Sequence, residues 1–413
     1  MSGKNQVFMK IGYLAFLFIL NFLTSPLKAG ENPGRIFFIQ PEYMTGINLP
    51  IWDFMSSGLR QTVCLSFGYN YYDSTKNWVP YYNFPALGIS AVYSYLGNSD
   101  VFGNEYSLIP YFLFKTSHDP RKSIDFKLGI GVSYYDKPYH KDFNPDNVLV
   151  GTEFNWGFHF IAYKNLLVSR KLVLKTGLGA LHASNAHTVI PNFGLNTFIL
   201  SLAAQFPGTD IENRAVVNHV APAHRPDKQY FIQARYGHGW HELGGTNEPR
   251  GGPSYNVHSY SLSGGVVFKQ QLKVQTGFTY RYYDSYYHYI RNTPDSEWET
   301  DPASYRENPR YGSSNLFWFL GSEFLLGHIG LDLIGGINLF KPFYREYNEK
   351  WEFKKGITYF TARMFPARIG VNYYLVNTSK VPGHNIWIGA SVNANFAEAD
   401  FMELGMGYCW RIK

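Results

Sequence analysis

The sequence predicts an all-β protein: a transmembrane antiparallel β-barrel of about 14 strands, in a range of about 12 to 16, behind a cleaved signal peptide. Three observations carry this. The chain is 18% aromatic and only 16% charged, whereas soluble domains are about a quarter charged. Its mean hydropathy is nevertheless slightly negative, −0.23, and after the first thirty residues no apolar run reaches the ~20 residues of a spanning helix. Finally, apolar residues recur at every second position, which places them on one face of a strand. Apolar-out, polar-in strands reconcile the three.

The elements follow in order. Lys4 and Lys10 precede an apolar stretch, Ile11 to Leu23, and a short segment ending at Ala29. That is the layout of an export signal, with residues 1–29 removed and 30–413 forming the barrel. Val63, Leu65, Phe67, Tyr69 and Tyr71 then share a face opposite Cys64, Ser66, Gly68 and Asn70. Phe126, Leu128, Ile130 and Val132 oppose Lys127, Gly129, Gly131 and Ser133. Phe154, Trp156, Phe158 and Phe160 form a third apolar row, and Leu272, Val274, Phe278 and Tyr280 a later one. Met402, Leu404, Met406, Tyr408, Trp410 and Ile412 close the chain.

Connection lengths set the orientation. With the last strand ending in the periplasm, residues 117–122, 165–170, 269–271, 327–328 and 377–385 are short turns. Residues 44–60, 136–150, 185–194, 242–256, 284–313 and 341–365 are the longer loops, expected outside the cell. The stretch 207–228 stands apart as a long periplasmic linker between two halves of one barrel. Cys64 and Cys409 share lumenal parity, which allows a disulfide between them. The net charge of +6 favours an anionic partner such as phosphorylated lipid headgroups; nucleic acid is excluded for an exported barrel.

The chemistry sits at Leu181-His-Ala-Ser-Asn185 and Pro191-Asn-Phe-Gly-Leu-Asn196. Counting back from Ser184, His182, Ala180, Leu178, Leu174 and Leu172 share a mainly apolar face. On the following strand Asn196 shares a face with Phe198, Leu200 and Leu202. A hairpin of 171–184 with 195–206 sets Ser184 opposite Asn196 and His182 opposite Phe198, all outward, with diagonal neighbours within roughly 7–8 Å. Ser184 is then a nucleophile, His182 its base, and Asn196 the group that fixes the imidazole tautomer. Backbone N–H groups around Asn185, or its side-chain amide, are the expected oxyanion donors. A nucleophile and base facing hydrocarbon point to a lipid substrate, and the chemistry calls for neither metal nor cofactor.

His182-Ala-Ser184-Asn185 followed by Pro191-Asn192-Phe-Gly194-Leu-Asn196 resembles the lipid A 3-O-deacylase family, the PagL-like outer-membrane acyl hydrolases. The likeness is nearest to the long version found in Bacteroidetes-type bacteria, and it covers roughly residues 60–206. Tyr82 to Ile89, Lys127 to Val132 and Asn147 to Gly151 also resemble that family, as does the closing Ala397 to Tyr408. The resemblance implies hydrolysis of the ester-linked acyl chain at the 3 position of lipid A, in the lipopolysaccharide of the Gram-negative outer leaflet. It implies Ser184 as nucleophile and His182 as base, with Asn185, Asn192 and Gly194 in support. The family has a glutamate where this chain has Asn196, and neither strand offers a carboxylate on its outward face.

The alternative is a non-enzymatic barrel, a pore or surface-binding protein with a relic site. Glu153, Asn155, His159, Lys171, Lys175, Gln233 and Arg235 have lumenal parity and could line a channel, which about 14 strands would leave wide enough for water. His238 and His241 lack helical spacing and read as rim histidines. The run from Tyr280 to Tyr289 reads as an aromatic girdle entering a loop.

Overall fold

In lipid every backbone N–H and C=O must be paired within the protein, and a closed antiparallel sheet achieves this without an edge. The chain uses that solution twice. The computed structural model describes residues 34–49, 58–74, 76–208, 227–396 and 398–412; the expected signal peptide and most of the 207–228 linker lie outside them. Among the described residues sixteen antiparallel strands are present, and they close as two eight-stranded barrels.

The first barrel holds β1 (Arg35–Asn48), β2 (Arg60–Tyr71), β3 (Ala86–Tyr95), β4 (Asn104–Lys115), β5 (Ile124–Tyr135), β6 (Phe154–Val168), β7 (Val173–Ser184) and β8 (Leu195–Pro207). Each strand pairs with the next, and β8 returns to β1, with Tyr43 opposite Leu202. The second barrel holds β9 (Lys228–Glu242), β10 (Ser254–Phe268), β11 (Leu272–Tyr283), β12 (Ser314–Leu326), β13 (Ile329–Phe340), β14 (Pro366–Tyr374), β15 (His384–Asn395) and β16 (Glu398–Ile412). It closes by β16 on β9, with Met406 opposite Tyr236. The one barrel expected from sequence is therefore two, because period-two alternation is the same whether a strand returns to the eighth or the sixteenth.

Alternation behaves as expected within each barrel. Val63, Leu65, Leu178, Phe198, Leu200 and Leu202 are exposed on the outside of the first; Leu262, Phe278, Leu320, Met406 and Trp410 are exposed on the second. The inside of an eight-stranded barrel is only wide enough for side chains, and here side chains fill it. In the first barrel Arg60 binds Glu105 and donates to Ser94 at 2.9 Å. Lys127 lies 3.6 Å from Glu42, which also accepts from Tyr163 at 2.7 Å. Ile109, Ile161, Leu181 and Ile199 pack alongside. In the second, Arg235 pairs with Glu403, Lys273 with Glu323 at 2.9 Å and Arg368 with Asp332 at 3.1 Å.

That filling revises the channel-lining residues. Asn155, His159, Lys175, Gln233 and Arg235 do point inward, but they are buried in packed interiors; Glu153 and Lys171 are exposed at the strand ends. Cys64 lies inside the first barrel and Cys409 on β16 of the second, both as free thiols. The disulfide allowed by parity in a single barrel does not form.

Most long connections fall at one end of each barrel, but the fourteen-residue β2–β3 connection shares the other end of the first barrel with the short turns, and only two residues join β15 to β16 at the long-connection end of the second. In the second barrel the long ones carry short helices: α1 (Asp284–Asn292), α2 (Ala303–Glu307), α3 (Pro309–Gly312), α4 (Tyr344–Tyr347) and α5 (Gly356–Met364). Tyr286, Tyr289 and Ile290 recur at helical spacing on α1 and are buried against Phe343 and Tyr347. Tyr286 and Tyr289 therefore belong to a buried cluster rather than to a girdle.

Candidate active site on the outer wall of the first barrel

Strand β7 ends at Ser184 and β8 begins at Leu195, so the ten residues between them form one of the long connections. The observed register puts His182 opposite Asn196 and Ala180 opposite Phe198. This is two residues from the pairing expected from sequence, and the faces are unchanged because the side-chain period is also two. On the other side β6 sets Phe158 opposite His182 and Trp156 opposite Ser184. His182 is thus held between an aromatic ring, 5.7 Å between centroids, and an asparagine. It shares the outward face with Leu178, Phe198 and Leu200, all exposed on the wall.

The imidazole Nδ1 lies 2.7 Å from Asn196 Oδ1. An amide oxygen only accepts, so Nδ1 carries the hydrogen and Nε2 keeps its lone pair. Ser184 is buried, and its Oγ meets the Asn192 side chain twice. It donates to Oδ1 at 3.2 Å and accepts from Nδ2 at 2.8 Å. Asn192 Oδ1 also accepts the backbone N–H of Asn185 at 3.0 Å, so that N–H is already engaged. The amide NH2 of Asn192 is therefore the donor set beside the serine oxygen.

Two features hold this arrangement. The returning chain is anchored by backbone bonds from Phe193 to Val148 (3.3 Å) and Gly194 to Leu149 (2.9 Å). Behind it Ala183 and Leu195 are buried with Leu149, Val150 and Tyr135 in a single apolar cluster. Gly194 has φ +74°, and a Cβ there would stand 3.0 Å from His182 Cε1. A side chain at this position would crowd the imidazole in a backbone conformation that L-residues disfavour.

All six residues singled out from sequence are therefore local to one another in one hairpin and its connection: His182, Ser184 and Asn196, with Asn185, Asn192 and Gly194. Trp156 and Phe158 were legible as outward-facing, but not as neighbours of the serine and histidine. The signal lay in the β6–β7 turn, whose length sets that register.

His182, Ser184 and Asn196 thus lie together on the outward wall of the first barrel, at the end of strand β7 and the start of β8. Residues 65–205, running from β2 almost to the end of β8, match the family model described as lipid A 3-O-deacylase (PagL). Among solved structures, the outer membrane enzyme PagL is 17% identical, with 40% of this chain and 97% of that one covered and a TM-score of 0.29. An outer membrane channel from Pseudomonas putida F1 is 8% identical over 94% of this chain and 98% of its own, with a TM-score of 0.19. Pseudomonas putida OprB is 6% identical over 92% and 94%, with a TM-score of 0.17. A search of curated proteins finds no match.

Proposed function

We propose that the first barrel is an outer-membrane esterase that removes an ester-linked acyl chain, the 3-position chain, from lipid A. The observation that carries this reading is the His182–Asn196 contact beside Ser184 on a lipid-facing wall. It is supported by the family match over the same strands. The long-connection end of the barrel would face the outer leaflet, where lipid A resides.

In this reaction the Ser184 hydroxyl attacks the ester carbonyl while His182 Nε2 takes its proton. Asn196 Oδ1 holds Nδ1–H, keeping that tautomer and stabilising the imidazolium as it forms. The carbonyl oxygen becomes an anion and takes a hydrogen bond from Asn192 Nδ2, which in the resting site is bonded to Ser184 Oγ. Asn185 fixes the Asn192 amide from behind, and Gly194 leaves the imidazole room. The leaving alcohol of the sugar takes the proton back from His182, and the acyl-serine is then hydrolysed by water activated in the same way. Acyl chains would lie along Phe158, Leu178 and Phe198, in the bilayer's own hydrocarbon.

A fluorophosphonate probe tests the nucleophile directly. The expected result is one phosphonylated peptide, containing Ser184, that disappears in His182→Ala. Modification elsewhere, or none in a folded barrel, would overturn the assignment.

A further inference from the structure

Helix α5 leads into β14 at the long-connection end. At 100° per residue, Ile357, Phe360 and Met364 fall within about 60° of one another on its surface. Ile357 is 71% exposed and Phe360 49%, while the opposite side of the helix buries Ala362. The polarity of this helix is thus the reverse of an ordinary surface helix: its small residue faces the protein and its large apolar residues face out. Phe353, just before it, is 69% exposed as well.

The helix is held in this orientation. Asn338 Nδ2, from inside β13, donates to the Arg363 carbonyl at 2.6 Å, and Lys341 Nζ reaches the Ala362 carbonyl at 3.4 Å. Lys341 is itself fixed by Asn395 at 2.7 Å. The stripe is therefore pinned outward. The wall of β13, whose Asn338 holds the helix end, likewise exposes Leu333, Ile337 and Leu339. Two exposed cations, Lys355 and Arg363, bracket the stripe.

We infer that α5 is an interfacial anchor. Ile357, Phe360 and Met364, with Phe353, enter the acyl boundary of the membrane at the long-connection end, while Lys355 and Arg363 meet anionic headgroup phosphates. The occupant is a lipid surface because the apolar stripe is carried on a helix bonded to the end of β13, a strand with an exposed apolar wall, and its flanks are basic, the composition of helices that lie in the interface plane.

Site-directed spin labelling of the full chain in vesicles of phosphatidylethanolamine and phosphatidylglycerol tests this. In a Cys64→Ala, Cys409→Ala background, nitroxides are placed through Ile357→Cys, Phe360→Cys and Thr358→Cys, with Leu262→Cys as the lipid-facing control. Folding is verified by heat-modifiable mobility. Positions 357 and 360 are expected to be several-fold more accessible to oxygen than to a water-soluble nickel chelate, like 262, and 358 the reverse. Equal chelate access at 357, 358 and 360 would overturn the inference in favour of a water-exposed stripe. Protection of 357 and 360 from both reagents would overturn it in favour of a covering protein or second copy.

Discussion

His182 and Asn196 face each other directly across β7 and β8, with Nδ1 of one 2.7 Å from Oδ1 of the other. A neutral amide thus faces the imidazole. It orients the ring but gives the imidazolium less electrostatic support than a carboxylate would. Asn196→Ala is expected to lower kcat on a lipid ester by roughly 10²–10⁴-fold, the range set by loss of tautomer control. Asn196→Glu is expected to retain or raise it. Full activity in Asn196→Ala would remove the orienting role.

Asn192 Nδ2 donates to the serine oxygen at 2.8 Å. Removing one oxyanion donor costs about 10²–10³ in kcat. Asn192→Ala should show that loss with KM little changed, whereas a merely structural residue would lower the yield of folded barrel instead.

Gly194→Ala places a methyl 3.0 Å from the His182 ring at φ +74°. The strain is on the order of 1–3 kcal/mol. A folded barrel with a clear fall in kcat is expected, measured beside its unfolding midpoint in urea.

Arg60 and Glu105 are both buried in the first barrel and paired there. Arg60→Ala leaves a carboxylate without its guanidinium partner and should destabilise the barrel by about 3–5 kcal/mol. Arg60→Met with Glu105→Gln should recover much of that loss. Because both interiors are filled, planar-bilayer recordings of the wild type should show no sustained conductance steps.

Lys341 is buried in the connection after β13, and desolvation lowers its pKa from 10.5 to about 7. Asp400 and Glu398 partly restore it, while Arg281 and Lys354 depress it further. The folded site therefore binds the proton less readily than the unfolded chain. Between about pH 7 and 10.5 the unfolded state holds a proton that the native state lacks, so stability rises with pH across that window. Melting curves of the wild type minus Lys341→Met should show this rise; a flat difference would refute the assignment.

Much of the fold was legible because alternation is a local signal. Leu178 and Phe198 face out and Lys175 and Gln205 face in, as their parity dictates. Most of the connections were legible for the same reason, but the long β2–β3 connection and the short β15–β16 one were not. Closure was not, because the β1–β8 and β9–β16 pairings join residues far apart in sequence and leave no mark on the strands themselves. The unusual stretch 207–228, long where short turns are the rule, was the one signal of a break. At the site, parity placed His182, Ser184 and Asn196 on one face. The exact pairing and the Asn192 bridge depended on how a ten-residue connection folds back, which periodicity does not encode.

Mass spectrometry of lipid A from a Gram-negative host expressing the wild type and, in parallel, Ser184→Ala in its outer membrane decides whether the first barrel is a serine-dependent deacylase. Loss of one hydroxyacyl chain is expected with the wild type and intact lipid A with Ser184→Ala. Unchanged lipid A from a folded wild-type barrel, or equal loss with Ser184→Ala, would contradict it.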